Sequence, residues 1–296
     1  VYKRQVLDRG FIFGDGVYEV IPAYGGHPLR PKHHLQRLQN SLDAIRLDNP
    51  NTNEDWSSII SSVIEKNEGE DQYIYLQVTR GVAKRDHSFP EGNTQTVFVM
   101  SSPLLPVNSD LLKNGVSAIT LDDIRWRYCS IKTTALLPNV LLRQQAVEQE
   151  AAEAILVRDD GVTEGAASNL FIVLNGVIIT PPKSNLLLPG ITRDLVVELA
   201  QHHQLACEER SISADELKQA EEVWVTSSTK EILPITTLDG KPVGNGQPGE
   251  TWQTMFQYYQ ENKQRLRAGN DLGARTIWLY NRLVTCANCP HSNCHD

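Results

Sequence analysis

Lys132 follows the run Asp122-Asp123-Ile124-Arg125-Trp126-Arg127-Tyr128-Cys129-Ser130-Ile131 and precedes Thr133-Thr134-Ala135-Leu136-Leu137. An ammonium buried in such a segment loses part of its preference for charge, and the neutral amine can attack a carbonyl carbon. Taken alone, a lysine in such a mixed segment is far more often an ordinary surface or ion-paired residue. A second cluster, Thr163-Glu164-Gly165-Ala166-Ala167-Ser168-Asn169, sets one carboxylate among small side chains. Something planar could approach there, and the carboxylate could hold a proton on a heterocyclic nitrogen; a plain turn has the same composition. In Leu188-Pro189-Gly190-Ile191-Thr192-Arg193 a glycine and a hydroxyl open a predicted helix. The first amides of a helix are unpaired and lie at its positive end, which suits a phosphate, although capping by Thr192 accounts for the same residues. Thr226-Ser227-Ser228-Thr229 adds hydroxyls at a strand end, fit to complete a phosphate cup or to make a turn. Last, Arg85-Asp86-His87 brings a guanidinium near an imidazole in a polar loop, and Tyr24 could add a hydroxyl. That set suits a carboxylate, or else is a solvated loop.

The elements that must carry these groups follow from periodicity. Gly16–Ile21 alternates as a strand closed by Gly25-Gly26, and Leu35, Leu38, Leu42 and Ile45 predict a helix over Lys32–Leu47. A second helix is predicted over Glu54–Lys66 with Asn53 as its N-cap, followed by strands at Tyr73–Arg80 and Thr96–Ser101. Pro103, Pro106, Asn108 and Ser109 mark a linker. Beyond it come a strand at Val116–Leu121, a helix at Val140–Glu150, a strand at Ala154–Arg158, and a hairpin of Leu170–Leu174 and Val177–Thr180 about Asn175-Gly176. A helix over Thr192–His202, a short one opened by the Ser213/Glu216 capping box, a strand at Glu222–Thr226 and a helix over Glu250–Leu266 complete the pattern. Helices and strands mix without strict alternation, predicting an α+β fold with mixed or antiparallel sheets and flanking helices. The expected organisation is a small N-terminal domain over 1–107, a larger one over 108–267, and an appended tail over 268–296.

Composition limits the partners. With 40% hydrophobic and 22% charged residues over 296 positions, the chain is too apolar for global disorder. A net charge of −8 argues against a nucleic-acid partner, and no apolar run approaches the roughly 20 residues of a membrane span, so the expected address is the cytoplasm. Five cysteines, three of them at Cys286, Cys289 and Cys294, argue against a disulfide scaffold. With His291 and His295 those three could ligate zinc, but no second ligand pair follows, and no metal is expected.

A lysine, a carboxylate, a phosphate cup and a carboxylate trap in one chain are the parts of a pyridoxal-phosphate enzyme acting on amino acids. The motifs DRGFIFGDGVYEV, YLQVTRGVAKRDHSFP, DDIRWRYCSIK, VTEGAASNLF, LPGITRDLV and VWVTSSTKEI, in that order from Asp8 to Leu266, resemble fold-type IV pyridoxal-phosphate aminotransferases. Within them the chain is most similar to the bacterial D-amino-acid (D-alanine) aminotransferase branch. The resemblance implies a Schiff-base lysine at Lys132 and a pyridine-nitrogen carboxylate at Glu164. It implies phosphate contacts from Arg37, Ile191, Thr192, Ser227 and Ser228 about the Gly190 turn, and packing of Leu188 on the cofactor ring. It also implies a substrate-carboxylate site of Tyr24, Arg85 and His87, the last two reaching across a homodimer. The implied reaction converts D-alanine and 2-oxoglutarate to pyruvate and D-glutamate, with small amino and 2-oxo acids as partners. Aminodeoxychorismate lyases and branched-chain L-amino-acid aminotransferases share the fold and lysine and are the alternatives, as is an inactive cofactor-binding relative. Relatives carry a first strand ahead of the Asp8-Arg9-Gly10 motif, expected to be missing here. Pro189 and Thr133-Thr134 depart from the usual pattern and are expected to alter the pocket's shape.

Overall fold

The computed structural model describes residues 6–92 and 94–269. The tail with its cysteines and histidines from Cys286 onward therefore lies outside the described residues. The first recognisable element is α1 (Arg9–Phe13), capped by the Asp8 carboxylate, which accepts from Gly10 N at 2.8 Å, and ended by Gly14 in the left-handed region at φ 64°. Strands β1 (Gly16–Tyr24), β2 (His27–Pro28), β3 (Asp71–Thr79) and β4 (Thr96–Pro103) form an antiparallel sheet in the order β2-β1-β3-β4. Between β2 and β3 run α2 (Pro31–Ala44) and α3 (Asn53–Glu65). Leu35, Leu38 and Leu42 of α2 and Trp56 and Ile60 of α3 recur at three- and four-residue spacing, so each helix lays one apolar stripe on Val17, Ile21, Ile74 and Leu76 of the sheet. The N-cap of α3 is Thr52, not Asn53: the Thr52 hydroxyl accepts from Asp55 N while the Asp55 carboxylate accepts from Thr52 N, and this reciprocal pair outcompetes a cap one residue later.

The second sheet is mixed. After α4 (Ser109–Asn114), a helix absent from the predicted linker and capped by Asn108, come β5 (Val116–Asp122), α5 (Leu137–Glu148), β6 (Glu153–Arg158), β7 (Gly161–Gly165), β8 (Asn169–Leu174) and β9 (Val177–Thr180). Next are α6 (Ile191–His202), β10 (Cys207–Glu209), α7 (Ala214–Gln219), β11 (Glu222–Ser227), β12 (Glu231–Leu238), β13 (Lys241–Pro242) and α8 (Glu250–Arg267). The strand order is β10-β9-β8-β11-β12-β5-β6-β7, with β13 on β12; β9/β10, β12/β5 and β5/β6 pair in parallel and the rest antiparallel. Both faces of the sheet are covered. Leu170 and Ile172 of β8 join one core with Val223, Val225 and Ile235, while Phe171 and Val173 join the other with Trp224, Val196, Trp252 and Met255. This two-sided burial explains why β8 is apolar at successive positions rather than alternating.

The segment after Tyr128 links the two sheets. Val17 bridges Thr133, Tyr18 N donates to Lys132 O at 2.9 Å, and Thr134 N donates to Gly16 O at 3.0 Å. Lys132 is thereby fixed against the start of β1, at the seam between the sheets. Glu164 sits on β7, paired with β6, rather than in a turn; the turn is the Ala166–Ser168 stretch that follows.

Candidate active site

A cleft at this seam is lined by Arg37, Lys132, Glu164, Leu188, Gly190, Ile191, Thr192, Ser227 and Ser228, all nine cofactor-side residues expected from the sequence. They come from α2, the segment before α5, β7, the start of α6 and the end of β11. Chain positions more than 190 apart thus meet in one cavity.

The Lys132 side chain is half-buried in the cleft wall, its Nζ 4.2 Å from the centroid of the Tyr18 ring. Burial, reinforced by the nearby Arg37 charge, lowers its pKa from 10.5 to about 8, so the nucleophilic neutral form is accessible near physiological pH. Its backbone is pinned on both sides: Lys132 N donates to Ser41 Oγ at 3.1 Å, and Lys132 O accepts from Tyr18.

Glu164 is held on all sides. Arg125 Nη1 donates to its Oε1, while Asn169 Nδ2 at 3.1 Å and Leu188 N at 3.0 Å donate to Oε2. Arg125 is fixed in turn by Asp123, which accepts from its Nε and Nη2, each at 2.9 Å, and Arg158 Nη2 lies 3.1 Å from the same carboxylate. Burial pushes the Glu164 carboxyl up to about 7 against the opposing pull of Arg125. The carboxyl therefore sits where it can give or take a proton at neutral pH.

The start of α6 gives the cleft a wall where an anion can lie. Gly190 is the N-cap of α6 and offers no side chain to the first-turn amides; Thr192 lies within the helix rather than capping it. Gly190 is needed for close approach, since a Cβ there would lie 1.8 Å from Asn169 Oδ1. The amides of the first turn, left without a side-chain cap, point where an anion can lie. Thr226 also lines the cleft, and its Oγ1 is buried without a hydrogen-bond partner among the described residues. Arg37 enters from α2, gripped by the fully buried Glu19: its Nε and Nη2 donate to the two carboxylate oxygens at 2.8 and 2.7 Å, and Nη1 donates to Pro189 O at 2.9 Å. His34 Nδ1 completes the grip at 2.8 Å from Glu19 Oε2. These two partners hold the Glu19 carboxylate at about 2 in spite of burial.

The three expected substrate residues are not in this cleft of the single chain. Tyr24 is a correction: it is buried in the core between the second sheet and α8, and its hydroxyl donates to Glu231 Oε1 at 3.3 Å. The tyrosine that faces the cleft is Tyr18, six residues earlier on β1, whose pKa burial raises to about 12. At roughly 3.3 Å per residue the two tyrosines stand about 20 Å apart along the strand. Arg85 and His87 sit on an exposed loop, both against the Phe13 ring, and do not line the cleft. Sequence reasoning also misses Arg125, Asn169 and Glu19. Glu19 is the most legible of these: a lone carboxylate inside an apolar strand needs partners, and His34 and Arg37, three apart on a predicted helix, supply them.

A sheet-seam cleft that joins a lysine amine of lowered pKa, a clamped carboxyl and a helix start without a side-chain cap can hold a carbonyl compound that bears an anionic group. The family model described as amino-transferase class IV matches residues 16–238, and the chain belongs to that family. It is 43% identical over 245 residues to a D-alanine aminotransferase of Bacillus licheniformis, covering 83% of this chain and 86% of that protein. It is 40% identical over 259 residues to a D-alanine aminotransferase of Staphylococcus epidermidis, covering 88% and 92%. Among solved structures, an Escherichia coli branched-chain amino acid aminotransferase matches with a TM-score of 0.82 at 26% identity, over 92% of this chain and 91% of that one. A T.th. branched-chain amino acid aminotransferase, solved with pyridoxamine 5'-phosphate, matches with a TM-score of 0.83 at 27% identity, over 87% and 88%. Among the described residues no helix is long and apolar enough to cross a membrane, and no group of three or more His, Cys, Asp or Glu could hold a metal ion.

Proposed function

We propose that this chain transaminates D-amino acids with pyridoxal 5'-phosphate, converting D-alanine and 2-oxoglutarate to pyruvate and D-glutamate. The observation that carries the proposal is the joint presence in one cleft of the Lys132 amine, the clamped Glu164 carboxyl and the start of α6, which no side chain caps. The donor set fits the cofactor: an amine for its aldehyde, a carboxyl for its ring nitrogen, and amides with the Thr226, Ser227 and Ser228 hydroxyls for its phosphate. When bound, that cofactor supplies a carbonyl that takes up the amino group and a ring that draws electrons from the substrate Cα.

Glu164 holds the proton at the ring nitrogen, and Arg125 and Asn169 keep its carboxyl aimed. Lys132 would hold the cofactor through its amine, and the same amine could move the proton at the substrate Cα, a task suited to a pKa about 8. The Ile191 and Thr192 amides would bind the cofactor phosphate, with Arg37 at the same cup, and Leu188 would pack on the cofactor ring. Tyr18 lies over the lysine on the substrate side. Arg85 and His87 bind the substrate carboxylate from a second copy in a homodimer. The preference for D-amino acids is supported by the Arg85-x-His87 loop and by the identity of 43% to a D-alanine aminotransferase, against 26% for a branched-chain enzyme.

A donor screen of D- against L-amino acids with 2-oxoglutarate is the test, coupled to borohydride reduction of the cofactor-loaded protein. The expected outcome is turnover of D-alanine and a reduced adduct on the peptide containing Lys132, absent from Lys132→Ala. Turnover confined to L-donors overturns the substrate assignment, and an adduct on another lysine overturns the site.

A further inference from the structure

The loop that carries Arg85 and His87 has no secondary structure of its own, and residues 84–89 are exposed. A binding group on a mobile loop loses affinity to ordering entropy, so a loop used for recognition needs an anchor. Here the anchor is the short stretch before β1. Arg9, only 3% exposed, donates from Nη1 to Asp86 O at 2.6 Å and Ser88 O at 3.3 Å, the carbonyls on either side of His87. Its Nε pairs with Asp15 Oδ2 at 2.7 Å. Asp15 also takes Arg80 Nε at 2.9 Å, and Arg80 Nη1 and Nη2 donate to Arg46 O and Ile45 O at 3.1 and 2.7 Å. One carboxylate therefore fixes both the root and the tip of the loop. Phe89, at the loop's far end, lies with its ring centroid 3.8 Å from the Arg80 guanidinium and 4.8 Å from that of Arg46.

Phe13 does something different. Its ring meets the guanidiniums of Arg9 at 4.8 Å and Arg85 at 5.5 Å, and the His87 imidazole at 5.4 Å between centroids, tilted by 41°. A contact through the π-face orients a guanidinium or an imidazole while leaving its N–H edges unused. Among the described residues Arg85 makes no ion pair or side-chain hydrogen bond that would occupy those edges.

We infer that Arg9, Phe13 and Asp15 are positioning residues that present Arg85 and His87 to a substrate carboxylate, with Phe13 as the shared platform. The inference rests on the proposed carboxylate-binding role of those two residues. In Phe13→Leu, which keeps apolar bulk and loses the aromatic face, KM for D-alanine should rise about fivefold, the size of one or two lost cation–π contacts. The kcat at saturation and the bound-cofactor absorbance should stay unchanged, and Phe13→Tyr should restore KM. In an Arg85→Ala/His87→Ala background, Phe13→Leu should have no further effect on KM. An unchanged KM in Phe13→Leu, with a raised one in Arg85→Ala, overturns the inference alone. An unchanged KM in Arg85→Ala overturns the underlying reading instead. Losses of kcat, cofactor and melting temperature that persist in the double-variant background also overturn the inference, because they mark Phe13 as a general packing residue. Should Phe13→Leu fail to fold, Arg9→Lys, which keeps the charge but not the fork, carries the same comparison.

Discussion

Lys132 and Glu164 are displaced in opposite directions by one cause. Both are drawn out of bulk water, so each favours its uncharged form: the amine falls to about 8 and the carboxyl rises to about 7. The sign of the consequence is definite for the lysine. At pH 7 about one amine in ten is neutral with a pKa near 8, against fewer than about one in a thousand for an unperturbed lysine. The rate at which cofactor-free protein takes up pyridoxal phosphate should therefore rise with pH through a midpoint near 8 and level off above it. Stopped-flow absorbance across pH 6–11 measures this, and a midpoint near 10.5 would mean the amine is solvated. At this scale the sequence displays residue types well and their neighbours poorly. Lys132 and Glu164 stand out as residue types, but their neighbours alone suit a surface lysine and a turn equally, and their roles are expected from the resemblance. Arg125, in plain view two positions after Asp123, does not stand out, because its role depends on β7 arriving beside it. Tyr24 is expected at the site only from the resemblance, and the packing of α8 over the far end of β1 keeps it out of this cleft, which Tyr18 lines instead.

Elements bring these residues together with little freedom. The start of α6 leaves its first-turn amides without a side-chain cap, and Gly190 lies close against Asn169, which also holds Glu164. Two walls of the cleft thus share one residue. In Gly190→Ala the new Cβ must displace Asn169, so cofactor affinity should fall at least about tenfold, the cost of a modest clash in a packed site. Equilibrium dialysis with pyridoxal phosphate checks this; an unaltered affinity would show that Asn169 moves freely and that this wall is not built on the contact. Local signals reveal most elements directly. The Ser213/Glu216 capping box opens α7, and Asn175 and Gly176, with φ of 52° and 73°, make the two-residue hairpin turn. What sequence withholds are pieces whose structure is lent by neighbours. Strand β7, Gly-Val-Thr-Glu-Gly, has neither apolar alternation nor β-rich composition and is extended because it pairs with β6. Strand β12 carries Pro234 within it, a residue that ordinarily speaks against an interior strand.

Across the whole molecule, the site is a property of the seam between two sheets. Gly16 and Tyr18 bind the backbone of the Lys132 segment, Arg37 of α2 reaches Pro189 before α6, and Tyr24 and Leu29 pack into the second sheet's core. Neither sheet alone has the cofactor cup. Yet the single chain leaves Arg85 and His87 on an outer loop, away from its own cleft, with their recognition edges unspent. A homodimer in which each loop serves the other copy's cleft resolves that separation, and it makes a quantitative demand. Lys132→Ala lacks the amine but keeps the loop; Arg85→Ala/His87→Ala lacks the loop but keeps the amine. Each variant alone should turn over D-alanine poorly. Mixed in equal amounts under conditions of subunit exchange, half of the dimers are hybrids, and each hybrid has one site with both parts intact. About a quarter of the wild-type activity per site should then return. If the loop served its own chain's cleft, no hybrid would contain a complete site and mixing would restore nothing, so recovery measured against exchange time separates the two arrangements.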